Sequence, residues 1–127
     1  PRVEYRQASA EVSLLDTASV DLVTVAQAIH WFDLEKFYAE TKRVLKPGGE
    51  FIAMDHAAPA GEDKKTSAQT NHRVDPAVVL AAAKAAGFTY VDKSDVLANP
   101  SDDRTKRAFD PTVRRHTDQF LFRFKKG

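Results

Sequence analysis

Two histidines that follow apolar segments are the side chains best suited to acid–base chemistry. His30 ends the run VDLVTVAQAIH and is followed by Trp31, while His56 comes directly after EFIAMD, residues 50–55. A neutral imidazole can take a proton from an acceptor near pH 7, because its unperturbed pKa is about 6.5. His30, Trp31 and His56 are therefore the candidate catalytic residues. The alternative is structural: the imidazole of His30 caps the sheet or bonds to backbone, and Trp31 packs between helix and sheet.

The surrounding elements predict that both histidines lie on one edge of a sheet. The pattern predicts a buried strand at 20–26, a helix at 33–45 capped by Asp33, a glycine turn at 46–49 and a second strand at 50–55. This order is typical of a β-α-β unit with parallel strands and a right-handed crossover. Because the carboxyl ends of parallel strands meet at one edge, His30 and His56 are expected to approach each other.

The remaining patterns extend this unit into a single α/β domain, residues 1–127. We expect a strand at 3–8, a loop at 56–73, a helix at 75–86 capped by Asp75, a strand at 89–97, a solvated charged loop that includes residues 102–115, and a last strand at 119–125. In that last strand Phe120, Phe122 and Phe124 share one face, which predicts core positions.

Composition excludes several classes of function. The formal net charge is +1, which disfavours nucleic acid as a partner. The chain has no cysteine, so it has no disulfide, zinc thiolate or thiol nucleophile, and a cytoplasmic location is expected. No apolar run approaches the roughly 20 residues of a membrane span. Two imidazoles without further ligands at a set spacing do not predict a metal site.

The stretch SVDLVTVAQAIHWFDLEKFYAETKRVLKPGGEF, residues 19–51, resembles the middle of class I S-adenosylmethionine-dependent methyltransferases. It is most similar to the small-molecule type 11 group, in which the fourth strand ends AQA.HWF and LKPGG precedes the next strand. The later segments HRVDPAVV, SDVLANPSDD and TDQFLFRF resemble an uncharacterised predicted methyltransferase branch, so the chain could be a mosaic of two subfamilies. The resemblance implies a partial Rossmann-like sheet, equivalent to strands three to seven, with flanking helices and an antiparallel last strand.

The resemblance also implies a methyl donor, S-adenosylmethionine, and a small-molecule acceptor. By position, the cofactor-binding residues would be Ser9, Ala10 and Glu11 at the adenine and Ala26 and Gln27 beneath the cofactor. Ser9 departs from the acidic residue that the family often has there. His30 and Trp31 would then face the methyl group or the acceptor.

The positions of the glycines argue against a complete cofactor site in this chain. Gly-x-Gly does not occur among the five glycines, whereas the family holds the methionine part of the cofactor with a glycine-rich turn after its first strand. We therefore expect the chain to be the C-terminal portion of a methyltransferase, without strands one and two, and inactive or weakly active alone. A second expectation is that the isolated chain binds no cofactor at all. The alternative is a cofactor-free relic or mosaic that acts as a binding module.

A missing first strand would leave the strand at 20–26 with an unpaired edge near Val23 and Val25. Such edges recruit other strands, because their backbone amides and carbonyls lack partners. We expect a homodimer through this edge, with an internal fill by residues 3–8 as the alternative.

Overall fold

The computed structural model describes residues 2–127. Its elements, in chain order, are β1 (Val20–Ala26), a 3-10 turn (Ile29–Trp31), α1 (Leu34–Val44), β2 (Leu45–His56), α2 (Lys64–Thr66), a π-helical turn (Ser67–Asn71), α3 (Pro76–Ala85), β3 (Phe88–Lys93) and β4 (Gln119–Lys126). The four strands form one open sheet in the order β1-β2-β4-β3. Strand β1 is parallel to β2, and β4 is antiparallel to both β2 and β3. The predicted α/β class, the parallel β-α-β unit and the antiparallel last strand are confirmed.

Both long helices begin where their capping residues predict. The Asp33 carboxylate accepts a hydrogen bond from the Lys36 amide at 3.2 Å at the start of α1. Asp75 accepts from the Ala77 amide at 2.9 Å, and Pro76 occupies the first turn of α3, where a missing N–H costs nothing. Both helices cover the same face of the sheet, because their buried residues belong to one core cluster with that face.

The core between sheet and helices is largely aromatic. Phe120, Phe122 and Phe124 are buried, as predicted. The ring of Phe51 stacks on Phe124 with centroids 5.7 Å apart, and the Tyr38 ring of α1 meets Phe51 edge-on at 5.6 Å. Burial raises the pKa of the Tyr38 phenol, whose hydroxyl donates to a carbonyl of α3. These ring contacts join α1 and α3 to the sheet.

The opposite face of the sheet is only partly covered. Leu22 on β1 is 51% exposed. Ile52 and Met54 on β2 and Leu121 on β4 are partly exposed on the same side. Strand β1 pairs only with β2 among the described residues, so its other edge is open.

The expected strand at 3–8 is not formed. These residues are exposed and pair with no strand in the described chain, so the internal fill of the β1 edge is also not seen. A strand-forming sequence needs a neighbouring strand to satisfy its backbone, and none lies beside it here. The chain is held to α1 further on, where the Arg43 guanidinium donates to the Leu15 carbonyl at 2.7 Å and the Ser13 hydroxyl donates to Glu40 at 2.7 Å.

Other predicted boundaries also change. The expected loop at 56–73 contains α2 and the π-helical turn, because Asp63 caps a short helix there. The turn at 46–49 is a bulge within β2, since Val20 pairs with Leu45 while Leu22 pairs with Glu50. Strand β3 ends at Lys93, short of the predicted residue 97.

A buried ion pair holds the long loop between β3 and β4. The Arg73 guanidinium lies 2.8 Å from the Asp102 carboxylate, with both side chains inaccessible to solvent. Arg73 also donates to the Ala57 carbonyl at 2.9 Å and to the Lys106 carbonyl at 2.8 Å. The prediction of a wholly solvated charged loop was therefore wrong at Asp102, because its partner lies 29 residues away in the chain.

No helix within residues 2–127 combines the length and apolar composition that crossing a bilayer requires.

Breaking the buried pair should destabilise the fold strongly. Arg73→Met leaves the Asp102 carboxylate buried without its counterion, so we expect the free energy of unfolding in urea to fall by about 3–5 kcal/mol. The exposed pair Arg123 and Asp92 provides the control, since both side chains are open to water. Arg123→Met should cost about 0–1 kcal/mol. Equal losses for the two variants would contradict the structural role of Arg73.

Candidate functional site

One carboxylate links the ring of His30 to the backbone of His56. The Asp55 Oδ2 atom lies 2.7 Å from His30 Nδ1 and accepts a second hydrogen bond, at 3.0 Å, from the His30 backbone amide. Its Oδ1 atom accepts from the His56 amide at 2.7 Å. Asp55 is inaccessible to solvent and His30 is 3% exposed. The ends of β1 and β2 thus converge on a dehydrated carboxylate.

This arrangement selects the proton position on His30. A carboxylate only accepts hydrogen bonds, so its contact with His30 Nδ1 requires the proton on Nδ1. The neutral ring then presents Nε2 as an acceptor. That atom is closed off from solvent and has no hydrogen-bond partner. An unpaired buried acceptor of this kind is poised to take a proton or a hydrogen bond from a bound molecule.

His56 is buried as well. Its Nδ1 atom lies 2.7 Å from the Thr117 hydroxyl, and its Nε2 has no partner. Burial lowers the pKa of His56, and the positive charge of Arg73 lowers it further, against the opposing effect of Asp55. His56 is therefore neutral near pH 7.

Three rings form a row beside the two histidines, with its two outer rings exposed and its middle ring half-buried. We term this row the aromatic stripe: Trp31, His72 and Phe109. The His72 centroid lies 5.1 Å from that of Trp31 and 5.3 Å from that of Phe109. Trp31 also contacts the His30 ring at 4.8 Å, and Phe109 contacts the His56 ring at 6.1 Å. The stripe therefore borders both buried imidazoles.

A groove of about 380 Å³ opens beside this cluster. It is lined by His30, Trp31, Asp63, Lys64, Lys65, Ala68 and Gln69. The Lys64 ammonium donates to the carbonyls of His30 at 3.2 Å and Phe32 at 2.8 Å, which fixes the turn that carries the histidine. Burial lowers the pKa of Lys64.

The residues suggested for the adenine form a local turn on the same edge. Ser9 pairs with Val12 in an isolated bridge, and its hydroxyl donates to the Glu11 carboxylate. That hydrogen bond lowers the pKa of Glu11, so the carboxylate is ionised at neutral pH. Glu11 also accepts from the Asp33 amide at 3.2 Å, which places the turn close to the chain that follows His30. Ala10 packs partly against the core.

Ala26 and Gln27 lie exposed at the carboxyl end of β1. The Gln27 backbone has a φ of +56° and its amide donates to the Met54 carbonyl at 2.7 Å. Its side-chain amide donates to Gln119 at 3.2 Å. Of these five residues, Glu11 offers an ionised carboxylate, whereas both amide groups of Gln27 already have hydrogen-bond partners within the protein.

Sequence reasoning missed Asp55, His72, Phe109 and Thr117. Asp55 carried a signal, because a carboxylate next to His56 at a predicted strand end faces the same edge as His30. The other three lie on turns whose approach to the site has no local signature. No group of three or more metal-ligating side chains occurs within the described part of the chain.

Comparison with known sequences gives a family for the first part of the chain. Residues 1–53 match the sequence profile of a family described as a methyltransferase domain. A Dictyostelium discoideum protein named as a methyltransferase is 56% identical over 50 residues, which cover 39% of this chain and 19% of that protein. The uncharacterized methyltransferase YcgJ of Bacillus subtilis is 38% identical over 71 residues, covering 55% of this chain and 27% of YcgJ. The matching segments thus span 19% and 27% of these relatives.

Solved structures extend the similarity to the whole fold. The [4+2]-cyclase SpnF superimposes with a TM-score of 0.71 at 19% identity, covering 98% of this chain and 56% of SpnF. The geranyl diphosphate C-methyltransferase of Streptomyces coelicolor A3(2), solved with S-adenosyl-L-homocysteine, has a TM-score of 0.71 at 16% identity, covering 96% of this chain and 52% of that one. Such identities establish the fold alone. Residues 1–53 thus match a methyltransferase family, and the fold of the chain is one that class I S-adenosylmethionine-dependent methyltransferases share.

Proposed function

We propose that this chain carries the acceptor side of an S-adenosylmethionine-dependent methyltransferase for a small molecule, with His30 as the general base. The observation that carries this proposal is the 2.7 Å contact between His30 Nδ1 and Asp55 at the carboxyl ends of β1 and β2. Ligands of open α/β sheets bind outside the carboxyl ends of the strands. The family match over residues 1–53 supports the reaction class.

The residues of this chain would position the acceptor and hold its proton. Asp55 keeps the proton on His30 Nδ1, which leaves Nε2 free to accept a proton from the acceptor. Trp31 would form the wall beside the reacting group, and His56 would support the site as a neutral ring. S-adenosylmethionine, when bound, supplies an electrophilic methyl group on a sulfonium. Positioning and exclusion of water supply most of the catalysis in such a displacement.

The cofactor residues of the proposal are Ser9, Ala10, Glu11, Ala26 and Gln27. The ionised Glu11 would accept a hydrogen bond from the adenine amino group, and Ala26 and Gln27 at the carboxyl end of β1 would border the cofactor. Because Gly-x-Gly does not occur in the sequence, we expect weak cofactor affinity and weak or no turnover for the chain alone. A cytoplasmic location accompanies the proposal, as the chain has no cysteine.

The decisive experiment is calorimetric titration of the chain with S-adenosylhomocysteine. We expect binding that is weakened by Glu11→Gln, because the variant loses the ionised acceptor, and unchanged by Glu35→Gln on the exposed surface of α1. Binding at micromolar levels would favour the methyltransferase strongly. If no binding occurs at millimolar levels, the cofactor-free binding module becomes the better account.

The protonation of His56 gives a second prediction. Because its folded pKa is lowered, the unfolded state takes up protons first as the pH falls, so stability is full above 6.5 and declines below it. The imidazole C–H resonances of His56 should titrate with a midpoint below 6.5. His56→Gln should remove part of the loss of unfolding free energy between neutral and mildly acidic pH. A midpoint above 6.5 would contradict the buried neutral ring.

We also propose a homodimer in which two open β1 edges pair. The support is that β1 pairs only with β2 among residues 2–127 and that Leu22 beside the edge is 51% exposed. Light scattering should give twice the chain mass of 14.1 kDa. Leu22→Lys should shift the chain towards monomer by placing like charges at the interface, whereas Val96→Lys, at a 75% exposed position outside the sheet, should not. A monomeric parent chain at high concentration would refute the dimer.

A further inference from the structure

We propose that the methyl acceptor is a planar aromatic compound with an ionisable hydroxyl, bound on the aromatic stripe of Trp31, His72 and Phe109 beside His30. The inference rests on the proposed function, because it names the substrate class of that site. Binding such a compound requires a surface that holds flat rings and a basic atom that takes the hydroxyl proton. Both are present on the same edge of the sheet.

The stripe is suited to a flat ring. Trp31 is 53% exposed and Phe109 is 57% exposed, so large apolar areas face solvent. The intervening His72 meets them at interplanar angles of 72° and 61°, so neighbouring rings present alternating faces and edges. An added aromatic ring gains both burial and favourable edge-to-face contacts on such a surface. His72 contributes an uncharged ring, because burial lowers its pKa, with Arg107 lowering it further.

The hydrogen-bonding state of His30 points to a hydroxyl. Its Nδ1 is bonded to Asp55, while Nε2 is buried without a partner. A polar atom in this state is costly to leave unpaired, and a ligand O–H would satisfy it. The Trp31 ring lies 4.8 Å from the His30 ring and is half exposed, so the aromatic stripe extends to this imidazole.

The cations beside the groove do not favour an anionic acceptor instead. Lys64 already donates to the carbonyls of His30 and Phe32. Lys65 shares the groove wall with the acidic Asp63, which offsets its charge. A phenolic hydroxyl, with an ordinary pKa near 10, yields its proton to an imidazole far more readily than an aliphatic alcohol does.

The step balances in atoms and charge. The hydroxyl oxygen forms a bond to the methyl carbon of the sulfonium donor while the carbon–sulfur bond breaks and its electron pair returns to sulfur. The hydroxyl proton passes to His30 Nε2. The products are an aryl methyl ether, a neutral thioether and a protonated imidazole whose Nδ1–H is held by Asp55.

The fluorescence of Trp31, the single tryptophan, offers a direct test. Titration with catechol, corrected for its absorbance, should quench the emission saturably, whereas cyclohexanol should not. Phe109→Leu should raise the apparent Kd for catechol by about two- to tenfold. Tyr5→Leu removes an exposed aromatic ring outside the stripe and should leave it unchanged. Equal binding of cyclohexanol and catechol, or no effect of Phe109→Leu, would overturn the proposal.

Titration with S-adenosylhomocysteine and labelled methyl transfer separate this inference from the proposed function. Catechol binding that depends on Phe109, with no S-adenosylhomocysteine binding at millimolar levels, would retain the aromatic site and count against the methyltransferase. Transfer to non-aromatic acceptors without catechol binding would support the methyltransferase and refute the aromatic acceptor. Where transfer occurs, Asp55→Asn, a change of a positioning residue, should lower its rate and move its pH profile while catechol affinity is kept.

Discussion

The site depends on one dehydrated carboxylate. Asp55 is inaccessible to solvent, and burying a charge there would be prohibitive without donors. Three N–H groups compensate it: the amide and Nδ1 of His30 and the amide of His56. Because two of these donors are backbone amides, the position of His30 is tied to the register between β1 and β2, where Ala26 pairs with Met54. The chemistry of the imidazole thus follows from the pairing of the parallel strands.

A buried ion pair holds the loop that covers one side of the site. Arg73 and Asp102 neutralise each other under the long loop before β4, and Asp102 also accepts from the Asp118 amide at 2.8 Å. These contacts fix the loop so that Thr117 bonds to His56 and Phe109 packs against His72. A fold shared with both a cyclase and a methyltransferase does not by itself determine the chemistry, so the residues of this site decide it.

Much of the fold was predictable because its signals are local. The capping residues Asp33 and Asp75, the apolar run of β1 and the alternating phenylalanines of β4 predicted their elements within a few residues. Predictions failed where a partner outside the segment decides the outcome. Residues 3–8 have strand-forming composition but no neighbouring strand, and Asp102 is buried only because Arg73 meets it.

The sequence alone determined the order of the four strands and the two long helices, the sheet edge that carries His30 and His56, and the methyltransferase match of residues 1–53, since periodicity, caps and motifs are encoded over short stretches. Only the tertiary structure decided that Asp55 joins the two histidines and that Trp31, His72 and Phe109 form one surface. The reason is physical. His30 and Asp55 are 25 residues apart, and His56 and Thr117 are 61 apart, so their contacts arise from strand pairing and loop packing, which leave no pattern in neighbouring residues.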